Sequence, residues 1–277
     1  ITMKFLSATR APRLPVLSLA FVCWLAFASS ASLGQASRHC SEALGQVRIT
    51  PGEAFSGDLE ILSWNIQKAS NDGWAQDLAV LADEVNLAFI QEASVQAELS
   101  NAINSPLYQT FAAGYADSSQ QTGVMTLSTT SPSGQCSLTS WEPWLGTPKA
   151  TSVTEFPLAG REDRLLTINL HAVNFALGLQ DLRQQFRALA ELLEQHQGPV
   201  ILAGDLNTWS GQRQTVVDDF TNTFGLGAIA FSPDLRTKVF GRALDHIYIR
   251  GLQAQSAQAI PVTSSDHNPL RVRLALN

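Results

Sequence analysis

Short apolar runs along this chain end repeatedly in side chains that can bind metal, carry protons or contact phosphate. The runs are ILSWNI, LAFIQE, LLTINLH, VILAGDLN, RALDHIYI and PVTSSDH. They contribute the candidate site residues Asn65, Glu92, His171, Asp205, Asn207, Asp245, Asp266 and His267. Such groups are costly to bury singly beside apolar strands. We therefore predict that they gather at the strand ends of one sandwich and form a hydrated, anionic pocket for a divalent metal and a phosphate ester.

Side chains with oxygen atoms are predicted to bind the divalent metal on one side of this pocket, the metal side. Mg²⁺ and Mn²⁺ favour carboxylate and carbonyl oxygens, and Mg²⁺ is usually held by one or two carboxylates with several retained waters. Glu92 and Asp266 are the predicted carboxylates, and Asn65 supplies a neutral oxygen or orients one. Taken alone, Glu92 would be an ordinary surface carboxylate just past a strand end, so the prediction depends on the whole set.

Two histidines are candidates for the reacting side. His171 could be a core histidine with satisfied hydrogen bonds; in a catalytic role, its imidazolium would contact the non-bridging phosphate oxygens or protonate the leaving oxygen. A carboxylate beside His267 would raise its pKa and fix its tautomer, which suits a general base, and Asp245 is the candidate partner. His246 is predicted to be structural, because neighbouring side chains on a strand point to opposite faces.

The segment GDLN, residues 204–207, carries the last two candidates. By itself it matches an ordinary turn after a buried strand, for which Gly, Asp and Asn are common choices. In the functional interpretation Asp205, as an alternative to His267, activates the attacking water. Asn207 then stabilises the extra charge on the phosphate.

Alternating strands and helices must position these residues. Apolar or alternating runs predict strands over residues 58–66, 87–92, 123–128, 149–156, 164–173, 199–206, 244–250 and 270–276. Apolar residues at helical spacing predict amphipathic helices over residues 71–85 and 180–196, the second ending before Gly198-Pro199. Interleaved elements of this kind predict a layered α/β or α+β fold with the strands as its core.

Taken in order, the motifs WNIQ, QE, NLH, GDLN, LDHI and SDHNPL resemble the endonuclease/exonuclease/phosphatase superfamily, the DNase I-like fold. Any one of them is a weak signal, but six in the same order over residues 64–270 are a strong one. The stretches GVMTLS, NLHAVNFALG, AGDLNTWS and SSDHNPL further resemble a bacterial subgroup of unsettled substrate. The resemblance implies a four-layer α/β sandwich, in which two mixed β-sheets pack face to face with helices on the outside.

The resemblance also implies roles at matching positions on the metal and phosphate sides. Asn65 and Glu92 match the metal-proximal Asn and Glu of the superfamily, and Asp266 matches its second metal-side carboxylate. His171 matches the phosphate-stabilising histidine. The implied cofactor is Mg²⁺ or Mn²⁺.

The remaining motifs imply the groups that act on the nucleophile. Asp205 and Asn207 match the pair that orients or activates the water and holds the scissile phosphate. Asp245 matches the carboxylate partnered with the terminal histidine, and His267 matches that histidine.

One departure weakens the inference to DNase specifically. DNase-type members carry a further carboxylate, between the Glu and His motifs, that supports the first histidine. The candidates here lie in no recognisable motif: Glu98, Asp117, Glu142, Glu155, Glu162 and Asp163. The basic DNA-gripping insertions of repair nucleases are also not evident.

Length and charge further limit the number of domains and the ways in which the protein could bind nucleic acid. The chain has 277 residues, 45% of them apolar, which suits one large domain. Lys and Arg number 18 against 24 Asp and Glu, and without residues 1–36 the net charge changes from −6 to −9. A domain this acidic lacks the overall basic surface that is expected of a protein that holds nucleic acid by phosphate contacts alone. A nuclease remains possible, because a bound divalent ion supplies positive charge locally.

A separate leader is predicted at the amino end. Lys4, Arg10 and Arg13 precede an apolar stretch over residues 14–28, and small residues follow. This order is typical of a secretory signal peptide, which predicts export to the periplasm or the medium. An uncleaved anchor at residues 14–28 is disfavoured, because a span needs about 20 apolar residues. The predicted segments are a signal peptide over residues 1–36, an irregular lead-in over 37–57 and the phosphoesterase domain over 58–277.

Cysteine use is sparse. Cys23 lies in the predicted leader and leaves with it, while Cys40 and Cys136 remain. In an oxidising compartment these two could form one disulfide or stay unpaired. The paired cysteine spacing of a zinc site is missing.

Together these observations favour a divalent-metal-dependent phosphoester hydrolase, and among these an exported nuclease. A phospholipid or sphingomyelin-type phosphodiesterase or phosphatase is the alternative, with Trp141, Trp144 and Trp209 as membrane or sugar contacts or as ordinary packing residues. A non-catalytic binding module on the same fold is disfavoured, because every expected site position is present. A serine hydrolase is excluded, because the chain has no G-x-S-x-G motif. We predict a monomer and infer no stable protein partner.

Overall fold

The computed structural model describes residues 39–45, 54–103, 107–142, 145–174 and 178–276. The predicted signal peptide and Trp144 lie outside these residues, as does part of the predicted lead-in. None of the helices in the described stretches combines the length and the apolar character that crossing a membrane requires.

Strands account for most of the regular structure. In chain order they are Asp58–Asn65 (β1), Leu87–Ser94 (β2), Tyr108–Ala116 (β3), Gln121–Ser128 (β4), Gly134–Trp141 (β5), Pro148–Pro157 (β6), Arg164–His171 (β7), Val200–Asp205 (β8), Gly227–Ala228 (β9), Lys238–Val239 (β10), Arg242–Ala243 (β11), Asp245–Arg250 (β12), Leu252–Ala259 (β13) and Leu270–Leu276 (β14). Besides a short helical stretch over residues 39–43, the α-helices of the described residues are Trp74–Leu81 (α1), Gln180–Leu193 (α2) and Gly211–Thr223 (α3).

Within the described residues the strands form two six-stranded mixed sheets and one small hairpin. The first sheet has the order β13-β14-β1-β2-β4-β3, and the second has the order β5-β6-β7-β8-β12-β9. Each contains one parallel pair, β1 with β2 and β7 with β8, and its other neighbours are antiparallel. A parallel pair needs a long crossover, and α1 and α2 lie in these two connections.

The two sheets pack face to face, and helices cover both outer faces. Phe89 and Ile201 belong to the apolar cluster that the inner faces share. Leu78 of α1 packs on the outer face of the first sheet. Leu189 of α2 and Val217 of α3 pack on the outer face of the second. Strands buried on both faces read as continuous apolar runs, and the four layers confirm the predicted α/β sandwich.

The predicted elements are confirmed with shifted ends, and others were missed. Helix α1 begins after Gly73, which has φ of +90°, and is therefore shorter than the predicted helix over residues 71–85. Strand β2 continues to Ser94, past the predicted end at Glu92. The missed elements include β3, β5, β13 and α3. Strands β3, β5 and β13 lie at or beside sheet edges with many exposed residues, so their sequences lack an apolar run.

Amide side chains join the two sheets in their shared core. Gln91 of β2 donates to Asn169 of β7 at 2.8 Å, and Asn169 donates to the backbone oxygen of Met125 at 3.0 Å. Both amides are fully buried, where an unpaired polar group is costly. Of their side-chain atoms, only Oε1 of Gln91 has no hydrogen-bond partner among the described residues. These bonds fix the two sheets beside Glu92 and His171, which follow closely in the chain.

A disulfide joins Cys40 to Cys136 on β5. The sequence left open whether these two cysteines pair, and in the structure they do. The bond attaches residues 39–45 to the second sheet, across a sequence separation of 96. Glu155, which accepts from the backbone nitrogen of Gly45 at 2.7 Å, holds the same segment.

Candidate active site

Seven of the eight predicted site residues come together at one end of the sandwich, and Asp266 is the exception. Asn65 ends β1, His171 ends β7 and Asp205 ends β8. Asp245 begins β12 directly opposite Asp205 in the antiparallel register. Because the carboxyl ends of parallel strands meet at the same edge of a sheet, the parallel pairs at the middle of both sheets deliver these side chains to one place.

Asp205 is the centre of the group. Its Oδ2 accepts from the side-chain nitrogens of Asn65 at 3.2 Å and Asn207 at 3.3 Å. The same oxygen lies 3.5 Å from Nε2 of His171 and 4.0 Å from Nε2 of His267. Burial raises the pKa of Asp205 to about 6, although the charge of His267 opposes the shift. A buried carboxylate is thus placed between the two histidines.

The backbone of the GDLN segment explains why these residue types occur here. Gly204 has φ of +145°, and a Cβ at this position would clash with the carbonyl oxygen of Leu170 on β7. Only glycine lets β8 lie so close to β7 at that point. Asn207 has φ of +50°, a left-handed conformation that asparagine tolerates better than most residues.

His267 is held against Asp245. Its Nδ1 lies 2.7 Å from Oδ2 of Asp245, and both side chains are buried. Burial by itself would lower the pKa of His267, but the charge and hydrogen bond of Asp245 outweigh it and raise the pKa to about 10. The loop is fixed by Ser265, which donates to the backbone oxygen of Asn65 at 2.7 Å, and by Trp64, which donates to the backbone oxygen of His267 at 2.9 Å. His267 is therefore an imidazolium at neutral pH.

His171 has a cationic neighbour that the sequence analysis missed. Its Nε2 lies 3.0 Å from Nζ of Lys149. Because an ammonium group has only donors, Nε2 accepts and the ring proton lies on Nδ1. Burial and then the charge of Lys149 lower the pKa of His171 well below its ordinary value. His171 is thus neutral here, in contrast to the imidazolium expected from the sequence, and Lys149 carries the positive charge.

Glu142 contacts Lys149 and is the candidate for the further carboxylate that supports His171. Its Oε1 lies 3.8 Å from Nζ of Lys149, and the side chain is buried. The backbone nitrogen of Asn174 and the hydroxyl of Thr147 donate to it at 2.7 and 2.6 Å. Of the six candidate carboxylates, Glu142 is therefore linked to His171 through a lysine. No short motif surrounds Glu142 or Lys149, so the sequence offered no signal for either.

Other candidate carboxylates have partners away from His171. Glu155 pairs with Arg164 at 3.5 Å, and Asp163 pairs with Arg161 at 2.6 Å. Asp117 accepts from the backbone nitrogen of Ser119 at 2.7 Å. Glu98 accepts from the side chain of Asn101 at 2.6 Å.

Glu92 reaches the site through a β-bulge. The pairing of β2 with β4 shifts between Gln91 and Ala93, and Glu92 between them has φ of +50°. Its Oε1 lies 3.9 Å from Nε2 of His171, and its side chain is 24% exposed. Glu92 also lines a cleft of about 520 Å³, together with Lys68, Tyr115, Glu142, Lys149 and His171. A bulge re-aims one side chain without ending the strand, which is why Glu92 faces both the histidine and the cleft.

Asp266 lies apart from the other predicted metal ligands. It is exposed, its backbone nitrogen donates to Gln67 at 3.3 Å, and its backbone oxygen accepts from Thr237 at 3.1 Å. Its negative charge contributes to the raised pKa of His267. The structure does not bring its carboxylate into the buried group around Asp205.

A buried group of potential metal ligands is formed instead by residues predicted to be catalytic. Asp205, Asp245 and His267 bring ligand atoms to within 4.8 Å of one another. Asp245 and His267 already share a hydrogen bond, however. A protonated imidazole offers no lone pair to a metal, so carboxylate and amide oxygens are the better donors at this site.

His246 is structural, as predicted. Its Nε2 lies 2.7 Å from the hydroxyl of Thr208, and its Nδ1 lies 3.2 Å from Nη1 of Arg236. Among the tryptophans, the indole of Trp209 donates to Asn174 at 2.8 Å, whereas Trp141 is 61% exposed. Trp209 is therefore partly a packing residue, and Trp141 is open to solvent.

Comparisons with known proteins agree with this arrangement. Residues 62–267 match the family model described as the Endonuclease/Exonuclease/phosphatase family. A UPF0294 protein of Vibrio vulnificus (strain YJ016) is 37% identical over 240 residues, which cover 86% of this chain and 83% of that protein.

Solved structures share the fold at low sequence identity. The endonuclease/exonuclease/phosphatase from Beutenbergia cavernae DSM 12333 aligns with 80% of this chain and 72% of its own, with a TM-score of 0.66 and 15% identity. D. rerio TDP2 complexed with single strand DNA product aligns with 78% of this chain and 98% of its own, with a TM-score of 0.55 and 16% identity.

Proposed function

We propose that this chain, which belongs to the Endonuclease/Exonuclease/phosphatase family, is an exported, divalent-metal-dependent phosphodiesterase that cleaves nucleic acid. The observation that carries the proposal is the position of Asp205, buried between two histidines, with His267 held against Asp245. Asp205 and the cationic imidazole of His267 face the same space. Asp205 can accept a proton from water there, and His267 can stabilise negative charge on the phosphate.

The geometry favours Asp205 over His267 as the group that activates water. Asp205 Oδ2 is the oxygen that both histidines face, so a water bound there would be oriented by a carboxylate. With a pKa of about 6, Asp205 is ionised and able to accept a proton above that pH. His267, whose pKa is about 10, stays protonated and stabilises negative charge that develops on the phosphate.

The oxygen donors at the site fit a hard divalent ion. Glu92 and Asp205 approach the same nitrogen of His171, and Asn65 donates to Asp205. Glu92 and Asp205 would hold Mg²⁺ or Mn²⁺, and Asn65, whose side-chain oxygen accepts from the backbone nitrogen of Gln67, would orient Asp205 through its side-chain nitrogen. A bound ion would polarise the phosphate and offset the charge of the carboxylates.

Nucleic acid is the favoured substrate because two lysines of this acidic protein line the cleft, where they could contact a phosphate backbone once a metal ion offsets the charge of Glu92 and Glu142. Lys68 and Lys149 line the cleft beside Glu92 and His171. A lipid or sugar phosphoester is the second candidate, favoured by the exposed Trp141, which precedes the cleft residue Glu142. The protein acts as a monomer in either case.

A panel assay tests the proposal. We expect the wild-type protein to cleave plasmid DNA or RNA and bis(p-nitrophenyl) phosphate with Mg²⁺ or Mn²⁺, and EDTA to abolish this activity because the anionic site cannot bind phosphate without the ion. Glu92→Gln should require more metal for half-maximal activity. Hydrolysis of sphingomyelin or a phosphoinositide but not of DNA or RNA would favour the second candidate. No turnover together with no calorimetric metal binding would favour a binding module.

Export is supported by the pattern of residues 14–28 and by the disulfide. Structural disulfides persist in oxidising compartments and are rare in the cytosol, and Cys40 is bonded to Cys136. We expect protein recovered from the periplasm or the medium to lack the leader and to have both cysteines oxidised. Intact-mass measurement before and after thiol alkylation checks both features. Full-length protein retained in the membrane fraction would indicate an uncleaved anchor instead.

A further inference from the structure

The hairpin of β10 and β11 carries an aromatic side chain where folding gives no reason for one. Phe240 and Gly241 form its two-residue turn, with φ of +50° and +77°. Such turns prefer Asn, Asp or Gly, because a bulky side chain at positive φ is strained. Phe240 is nevertheless 85% exposed, more than any other large hydrophobic residue in the described part of the chain. A strained and solvated phenylalanine contributes little to stability, so its position suggests a ligand.

A second aromatic ring stands beside Phe240. Trp209 contacts it edge-on, with ring centroids 6.4 Å apart and an interplanar angle of 69°. Trp209 is held by its hydrogen bond to Asn174 and by the guanidinium of Arg213, 5.4 Å from its ring. It lies two residues after Asn207, so the aromatic pair borders the site around Asp205.

The hairpin is attached to the loop that carries His267. The hydroxyl of Thr237 donates to the backbone oxygen of Asp266 at 3.1 Å and accepts from the backbone nitrogen of Asn268 at 2.9 Å. At the base of the hairpin, the backbone nitrogen of Leu244 donates to the backbone oxygen of Thr237 at 3.1 Å. The aromatic pair and the catalytic histidine are therefore held in a fixed relation.

We propose that Phe240 and Trp209 form a stacking platform for a base of single-stranded nucleic acid next to the scissile phosphate. Arg242, which follows the turn, and Lys238, which pairs with Asp234 at 3.4 Å, are exposed on the same hairpin and would contact neighbouring phosphates. Aromatic rings bind successive bases without sequence preference, and basic residues along the same path bind the backbone. This inference rests on the proposed function and narrows its substrate to single strands or locally opened duplexes.

Binding to an inactive protein tests the platform apart from catalysis. In a His267→Ala background with Mg²⁺, we expect Phe240→Leu to weaken binding of a short fluorescein-labelled single-stranded DNA about tenfold, because Leu keeps the apolar surface but has no ring to stack. Phe240→Trp should bind like the parent protein. Val80→Ala, at an exposed apolar residue on α1, is the matched control and should not change the affinity.

Two further measurements separate the possible outcomes. Phe240→Asn should unfold at the same or a higher temperature than wild type, because Asn relieves the backbone strain, yet bind as weakly as Phe240→Leu. Equal affinity of Phe240→Leu and its parent for DNA overturns the platform, even if the wild type cleaves DNA. Binding to anionic phospholipid vesicles that survives in Phe240→Leu, without DNA binding, assigns the hairpin to a membrane and also overturns it. Loss of DNA binding in Phe240→Leu, together with an inactive wild type, supports the platform while the proposed function fails.

Discussion

Replacing His267 with alanine is expected to reduce phosphodiester turnover by roughly 10³-fold. The imidazolium is held by Asp245 at 2.7 Å and faces Asp205. Removing one preorganised donor from a charge-stabilising site costs about 10²–10³ in kcat, and this donor also carries a full charge. Steady-state kinetics on bis(p-nitrophenyl) phosphate and on DNA would measure the loss, which should appear in kcat more than in KM.

His246→Asn is the matched control for this variant. His246 is also a buried histidine at the same end of the sandwich, but it bonds to Thr208 and Arg236 and faces away from Asp245. We expect the control to lose stability while its kcat stays within a few-fold of wild type. Near-full activity of His267→Ala, with an unchanged circular dichroism spectrum, would remove His267 from the mechanism.

Asp205→Asn is expected to lose activity and gain stability at the same time. The loss should be about 10²–10⁴-fold, because the amide cannot accept a proton from water. The gain follows from the buried charge: the pKa of Asp205 is about 6 in the folded protein, against an ordinary value of 3.8. At one pKa unit per 1.36 kcal/mol, the ionised side chain costs on the order of 3 kcal/mol in the metal-free protein.

The pH dependence of this stability difference has a definite sign. The folded protein holds the Asp205 proton more tightly than the unfolded chain does. The favourable contribution is therefore complete below the ordinary pKa and is lost as the pH rises through about 6. The free energy of unfolding of Asp205→Asn should exceed that of wild type at about pH 8 and approach it near pH 4.

Urea unfolding in EDTA at both pH values measures this difference. Asn207→Asp offers a control, because it adds a carboxyl group beside Asp205 and should lower stability at the higher pH. An Asp205→Asn protein that is as active as wild type would contradict the mechanism. One that is less stable than wild type at the higher pH would contradict the cost assigned to the buried charge.

Much of the fold could be predicted because its signals are local. Strands buried on both faces show continuous apolar runs, and β14 alternates Leu270, Val272 and Leu274 with exposed or half-exposed arginines. The faces of α1 and α2 follow helical spacing. Edge elements gave no such signal: β13 reads LQAQSAQA and is largely exposed, and α3 reads GQRQTVVDDFTNT with few apolar residues. The hairpin that carries Phe240 was missed for the same reason.

The candidate site was also predicted only in part, and again the local signals were the ones that could be recognised. The motifs indicated Asn65, Glu92 and His171, because each is a polar residue at or near the end of an apolar run. The same pattern failed for Lys149 and Glu142, whose role depends on contacts with each other and with His171 across β6 and β7. Residue type and spacing cannot show which distant side chains will meet.

The sequence by itself determined which groups are available and, because alternation and apolar runs are properties of neighbouring residues, which segments form strands. The order of the motifs, through the family resemblance, implied that these groups collect at one end of a two-sheet sandwich. Only the tertiary structure decided how those groups are charged and partnered. It made His267 a cation through Asp245, left His171 neutral beside Lys149, and placed Asp266 at the surface. A pKa depends on burial and on charges brought together from segments more than 20 residues apart, and folding alone supplies those.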